Sequence, residues 1–241
     1  MIVLLTDFGQ SEYVGVMKGV IYSIAPDTRI VDLCHAISPQ NITEASWILR
    51  NNYEYFPQGA IFCCVVDPGV GTQRKALAAK TDRYYFVGPD NGLLWETLNE
   101  QKINEIRNIV IPESASQTFH GRDVFAKVAA DIELGKFNSI GESIGSIEKL
   151  ELYRQGRKGL IVHIDRFGNI VTNLPKLDKD EYQVALAGKT YTMEYYSSYE
   201  AAKADELFLI EGSNKTLEIS LRNGNANDKL NLVVRTKIEI S

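Results

Sequence analysis

A change of texture near residue 155 restricts what this chain can fold into more than any other feature. Before it, short apolar runs alternate with stretches whose apolar residues recur every three or four positions. After it, only short strand-like runs separated by turn residues remain. Met1 to Leu5 is an apolar run that breaks at Thr6-Asp7-Phe8-Gly9. Ser11 is placed to cap a helix carrying Val14, Met17, Ile21 and Ile24, stopped by Pro26. Arg29 to Leu33 predicts a second strand. Ser38 to Glu44 predicts the start of a helix running to about Tyr55, and Ile61 to Val66 a third strand. Strands apolar on both faces and separated by helices predict a parallel sheet covered on both sides. Ala76 to Lys80 and Tyr84 to Val87 add strands, Leu93 to Leu98 a helix after Gly88-Pro89-Asp90-Asn91-Gly92, and Val124 to Leu134 another helix. Residues 1–155 are thus expected to form an α/β domain with a largely parallel central sheet.

Over 156–241 the predicted strands are Leu160 to Ile164, Gln183 to Leu186, Lys189 to Met193, Phe208 to Glu211, Leu217 to Ser220 and Leu230 to Ile240, with turns at Ala187-Gly188 and Asn223-Gly224. That pattern predicts a smaller, all-β, barrel-like domain.

A formal net charge of -5 gives no broad cationic field, which argues against nucleic acid and for a small-molecule ligand. The apolar start lacks a basic leader and a cleavage site, so it reads as a strand and not a signal peptide, and no apolar run approaches the roughly 18 residues that span a bilayer. Three cysteines, two of them adjacent in an apolar run, suit reduced thiols in a cytoplasm.

In a parallel sheet, ligands bind beyond the carboxyl ends of the strands. Asp7 and Asp67 each follow a predicted strand directly, so both carboxylates are expected on one rim. A carboxylate there also serves as a helix cap, and for either residue alone both readings stand. The glycines of Asp67-Pro68-Gly69-Val70-Gly71 let Arg74 fold back, and a guanidinium there keeps the aspartate ionised and oriented. His120 lies in a glycine-containing polar loop, whereas His35 and His163 accompany apolar strands and read as structural. If His120 meets Asp67 and Arg74, the trio can position a water and take its proton. A GxSxG elbow is absent, and an arginine beside the carboxylate argues against a metal. In the second domain, His163 to Asn173 is the densest polar cluster. Asp165 ends a strand, Phe167 can stack on a flat ring and Asn169 can read a base edge, while a plain β-turn is the alternative. Ser213-Asn214-Lys215 and Arg222-Asn223-Gly224 are weaker signals of the same kind.

Taken in order, TDFG, DPGVG with its arginine, GPDNG, FHGRD and DRFGNIVTN resemble the S-adenosylmethionine hydroxide adenosyltransferase family, the hydrolases related to fluorinases and chlorinases. The resemblance spans nearly the whole chain. It implies a homotrimer with sites at subunit interfaces and the cleavage of S-adenosylmethionine by water to adenosine and L-methionine, without cofactor or metal. It makes Asp67, Arg74 and His120 the water-handling trio and Asp7 the grip on the ribose hydroxyls. Asp165 is matched to the methionine amino group, Asn169 to adenine and Ser213 to the methionine carboxylate. Phe119 and Phe167 flank the nucleoside, and Gly224 joins the substrate-binding set. Halogenating relatives carry a tyrosine where this chain has Asp67 and an arginine where it has Asn214, and the fluoride-using enzyme a serine where it has Gly121. An aspartate repels a halide and accepts a water. A halogenase and a non-catalytic adenosine or S-adenosylmethionine sensor are the competing expectations.

Overall fold

The computed structural model describes all residues, Met1–Ser241. They cluster into two compact units, Met1–Glu151 and Leu152–Ser241, so the division falls at 151, against 155 from texture.

The first unit runs β1 (Ile2–Thr6), α1 (Glu12–Ile24), β2 (Ile30–Cys34), α2 (Ile42–Asn52), β3 (Ile61–Val65), β4 (Ala76–Thr81), β5 (Tyr85–Pro89), α3 (Trp95–Asn99), β6 (Ile103–Ile109) and α4 (Ala126–Glu133). Its sheet has the order β2-β1-β3-β5-β4-β6. β1 pairs in parallel with β2 and β3, and β3 with β5, while β4 runs against both of its neighbours. β1 and β3 are buried at every position, and successive residues feed opposite layers. Leu4 and Cys63 join Met17, Ile21, Ala126 and Ala129 of α1 and α4 on one face, while Leu5 and Cys64 join Ala45 and Leu49 of α2 on the other. Cys63 and Cys64 are packing residues, and burial pushes the Cys63 thiol up to about 12.

Local signals set the helix ends, with two corrections. Asn41 caps α2 by accepting from the Glu44 N–H at 3.1 Å. Ser11 occupies the N-cap of α1, but its hydroxyl donates to the Phe8 carbonyl at 2.7 Å and does not cap the helix. The predicted helix from Val124 begins earlier, with a π-type turn over Gly121–Phe125 leading into α4. β6 has no counterpart in the sequence reading. It is an edge strand that buries only Ile106 and Ile109, so its apolar pattern is sparse.

The second unit runs β7 (Lys158–Ile164), β8 (Ile170–Pro175), β9 (Glu181–Leu186), β10 (Lys189–Glu194), β11 (Leu207–Glu211), β12 (Thr216–Leu221), α5 (Ala226–Leu230) and β13 (Lys237–Ile240). The sheet order β10-β9-β13-β7-β8-β12-β11 is antiparallel throughout. A bridge between Tyr195 and Leu209 nearly closes it into a barrel. β8 has no counterpart among the predicted strands, and its first four residues fall in the polar cluster His163 to Asn173. Its Thr172 and Asn173 are buried because Thr172 Oγ1 donates to the Leu217 carbonyl at 2.7 Å and Asn173 Oδ1 accepts from the Leu160 N–H at 2.8 Å. The strand expected over Leu230 to Ile240 is shorter. Asn225 caps α5, Asn231 turns the chain in the left-handed region, and pairing resumes only at Lys237.

Candidate functional site

Each unit carries a cavity lined by residues singled out in the sequence. In the first, β3 ends at Val65 and delivers Asp67 to the carboxyl edge of the sheet. Asn91 of the GPDNG stretch steadies that strand end, donating from Nδ2 to the Val66 carbonyl at 2.9 Å. The following loop folds back as its glycines require. Gly71 has a φ of +75°, and a Cβ there would stand 2.3 Å from the Gln117 carbonyl oxygen, so only glycine lets the loop lie on the segment leading to His120.

Arg74 Nε then donates to both Asp67 oxygens, at 2.9 and 3.1 Å, and Nη2 bonds Asp67 Oδ2 as well. The pair is well enclosed, with side-chain exposures of 5% for Asp67 and 10% for Arg74. The guanidinium stacks over the Phe125 ring at 5.2 Å, and Nη2 also reaches His120 Nδ1 at 2.8 Å. Arginine has only donors, so Nδ1 is the acceptor and the neutral imidazole carries its proton on Nε2. That nitrogen is buried and has no hydrogen-bond partner. Burial first, and then the Arg74 charge, lowers the His120 pKa, against the opposing pull of Asp67 and Asp123. His120 is therefore a neutral N–H donor at neutral pH. The trio assembles as expected, but the sequence reading had left open which member takes the proton of a bound water. With Nδ1 engaged by Arg74 and Nε2 carrying the proton, His120 has no free acceptor, and the Asp67 carboxylate is the acceptor-bearing side chain of the three.

Asp7 follows β1 onto the same rim. It accepts from the Gln40 N–H at 2.7 Å, and Gln40 holds a left-handed φ of 63° in making that bond. Asp7, Asp67, Phe119 and His120 line one cavity of about 360 Å³. Phe119 packs edge-on against Tyr13 and Phe8, with ring centroids 4.9 and 5.9 Å away.

In the second unit Asp165 follows β7 and organises a turn, accepting from the N–H groups of Phe167 and Asn169 at 2.8 and 2.9 Å and from Asn169 Nδ2 at 2.8 Å. The turn alternative is thus present, and the same residues also face a cavity. Asp165, Phe167, Asn169, Ser213 and Gly224 line a space of about 770 Å³. Phe167 is 75% exposed, an uncommitted ring at its edge.

Tyr199 and Glu218 are among the lining residues that the sequence does not point to. Glu218 lies mid-strand on β12 and is only 8% exposed. Its carboxylate occupies the space over Gly212, where a Cβ would sit 1.7 Å from Oε1. Burial, and then the Asp165 charge, push its pKa up to about 6, with His163 easing the shift. Burial and the Glu218 charge likewise raise the Tyr199 hydroxyl. The one sequence signal for Glu218 was a charge inside the otherwise apolar Leu-Glu-Ile of a predicted strand. No group of three or more His, Cys, Asp or Glu side chains is arranged to hold a metal ion. No helix is long and apolar enough to cross a membrane.

Comparisons with known proteins follow the same division. Residues 2–141 match the SAM hydroxide adenosyltransferase N-terminal domain, and residues 159–239 the C-terminal domain. The chain is 37% identical to the (R)-S-adenosyl-L-methionine hydrolase of Methanocaldococcus jannaschii, over all of this chain and 95% of that one. It is 35% identical to the same-named protein of Thermus thermophilus, over 95% of this chain and 94% of that one. A fluorinase from Nocardia brasiliensis is more distant, at 25% over 78% of this chain and 76% of its own. A solved structure of an uncharacterized conserved protein from Thermotoga maritima superimposes with a TM-score of 0.92 at 36% identity, covering both chains completely.

Proposed function

Since the chain belongs to the SAM hydroxide adenosyltransferase family, we propose that it hydrolyses S-adenosyl-L-methionine to adenosine and L-methionine. The observation that carries the proposal is the Asp67, Arg74 and His120 arrangement on the cavity that also holds Asp7. In this reading a water sits between the Asp67 carboxylate, which accepts its proton, and His120 Nε2–H, which donates to its oxygen. The water attacks the ribose C5′ in line with the C–S bond, and the sulfonium leaves as a neutral thioether. A leaving group that good needs neither a metal nor a covalent intermediate; alignment and exclusion of bulk water supply the rate.

Asp7 holds the ribose hydroxyls, with Phe119 and Phe167 flanking the nucleoside. Asp165 takes the methionine ammonium, Ser213 its carboxylate, and Gly224 lets the ligand approach the backbone. Asn169 commits Nδ2 to Asp165, so its Oδ1 accepts from the adenine amino group. The reading includes a homotrimer with sites at subunit interfaces, checked by sedimentation, and a cytoplasmic setting suited to three free cysteines.

Incubating purified protein with S-adenosyl-L-methionine and following adenosine and methionine by chromatography tests the activity. Adenosine is expected with or without chloride and fluoride, and no 5′-halo-adenosine. Release no greater than that of Asp67→Asn would sink the proposal. Halide-dependent product would replace it with halogenation, and tight binding of unchanged ligand with a sensor.

A further inference from the structure

We propose that the chain also hydrolyses the decarboxylated form of its substrate, the sulfonium that keeps the propyl ammonium but has lost the carboxylate. The products would be adenosine and 3-(methylthio)propylamine. This inference rests on reading the chain as an S-adenosylmethionine hydrolase and adds a second substrate to it.

The carrying observation is the sign of the charge on both cavity walls. Asp7 and Asp67 line the cavity of the first unit, and Asp165, Glu211 and Glu218 that of the second. No lysine or arginine lines either one. Arg74, the cation of the trio, spends its donors on Asp67, His120 and the Lys75 carbonyl. In the second cavity Asp165 and Glu218 stand close enough for Asp165 to raise the Glu218 pKa, with Glu218 almost wholly enclosed. Two carboxylates held like this repel each other until a cation comes between them.

S-adenosylmethionine carries two positive groups, the sulfonium and the ammonium, and one negative group. The acidic walls attract the first two and repel the third. What remains for the carboxylate on the second wall is a neutral donor such as the Ser213 hydroxyl, which lies on an exposed turn. Hydrogen bonds from neutral, solvated donors contribute little. Losing the carboxylate therefore removes a repulsion along with a weak contact. The reacting atoms are unchanged. The water oxygen bonds to C5′, the C5′–S bond breaks with its electron pair passing to sulfur, and the water's proton leaves through Asp67 to solvent.

The test compares kcat/KM for adenosine release by the full-length chain from three sulfonium substrates at pH 7.5. They are S-adenosyl-L-methionine, its decarboxylated form, and a desamino form that keeps the carboxylate. The decarboxylated substrate is expected within tenfold of S-adenosylmethionine, and the desamino one at least about a hundredfold below it, since it loses charge-assisted contacts. Normal cleavage of S-adenosylmethionine with the decarboxylated form more than tenfold poorer overturns the inference and leaves the hydrolase reading intact. A desamino substrate within tenfold of S-adenosylmethionine also overturns it, because the acidic wall would then not be selecting for the ammonium. Failure of all three to exceed the Asp67→Asn variant removes the hydrolase reading and the inference together.

Discussion

The two cavities treat enclosed carboxylates in opposite ways. In the first unit Asp67 is matched by Arg74 through three donor contacts, and the guanidinium also fixes the tautomer of His120. In the second, Glu218 and Asp165 share a wall without a lysine or arginine, and Glu218 is pushed up to about 6. A matched pair fixes geometry before any ligand arrives, which suits bond making, where small misplacements are costly. An unmatched pair leaves an electrostatic deficit that a cationic ligand relieves on binding, which suits recognition. On the proposed function the difference divides the labour, the first cavity serving the reaction and the second the charge of the substrate.

The largest effect should follow from removing the charge of Asp67 while keeping its shape. Asp67→Asn is expected to lower kcat about a thousandfold with little change in KM, because proton acceptance and orientation act in the transition state. Initial rates of adenosine release measure it. A loss confined to KM would erase the contrast between the cavities. Asp67→Ala is a poorer probe, since it strands an enclosed guanidinium at a cost of about 3 to 5 kcal/mol in stability.

His120 comes next. His120→Ala is expected to cost about a hundredfold in kcat. His120→Gln should recover part of it, because glutamine can offer an N–H where Nε2 stood. A glutamine no better than alanine would mean that the ring does more than donate.

How much of this was legible in the sequence follows from the same contrast. The Asp67 and Arg74 pair could be read because its parts are local: a buried strand leading into aspartate, a glycine loop too short to stray, and an arginine seven residues on. His120, 46 residues beyond Arg74, was legible only as the one histidine in a polar, glycine-containing loop. The parallel core was legible for a similar reason, since β3 is apolar at every position and β1 at every position but its last, Thr6. Glu218 was not legible because it is a charge within a buried strand, and its neighbours Asp165 and Tyr199 come from distant parts of the chain. β8 was hidden because Thr172 and Asn173 look solvent-facing until their partners on β12 and β7 are known. Pairwise satisfaction across a sheet leaves no mark in a single strand.

The pH dependence should separate the two cavities by kinetic parameter. Burial, and then the Arg74 charge against which a second N–H would be placed, lower the His120 pKa, so kcat is expected to fall only below the ordinary histidine value of 6.5. Protonating Glu218 removes an attraction for the ammonium, so KM should rise as pH falls through about 6. Glu218→Gln should raise KM about tenfold at pH 8 and flatten its acid limb, leaving the limb in kcat in place. A kcat limb that vanishes in this variant would show that the two cavities do not titrate separately.

Stability should show the smallest effect, with opposite signs in the two units. The lowered His120 pKa means the folded state binds fewer protons than the unfolded one, so this group's contribution is lost as pH falls below 6.5. Glu218 is raised above its ordinary value of 4.5, so its contribution is present below 4.5 and lost as pH rises through about 6. Above that pH the folded protein holds an ionised carboxylate that it would be more stable without. Glu218→Gln should therefore be more stable than the parent at pH 8 by about 1 kcal/mol, allowing for screening through the cavity mouth, with the difference gone below pH 4.5. Urea unfolding at the two pH values measures it. A variant less stable at pH 8 would mean that Glu218 is already matched by a cation in the ligand-free protein, and the second cavity would then be as settled as the first.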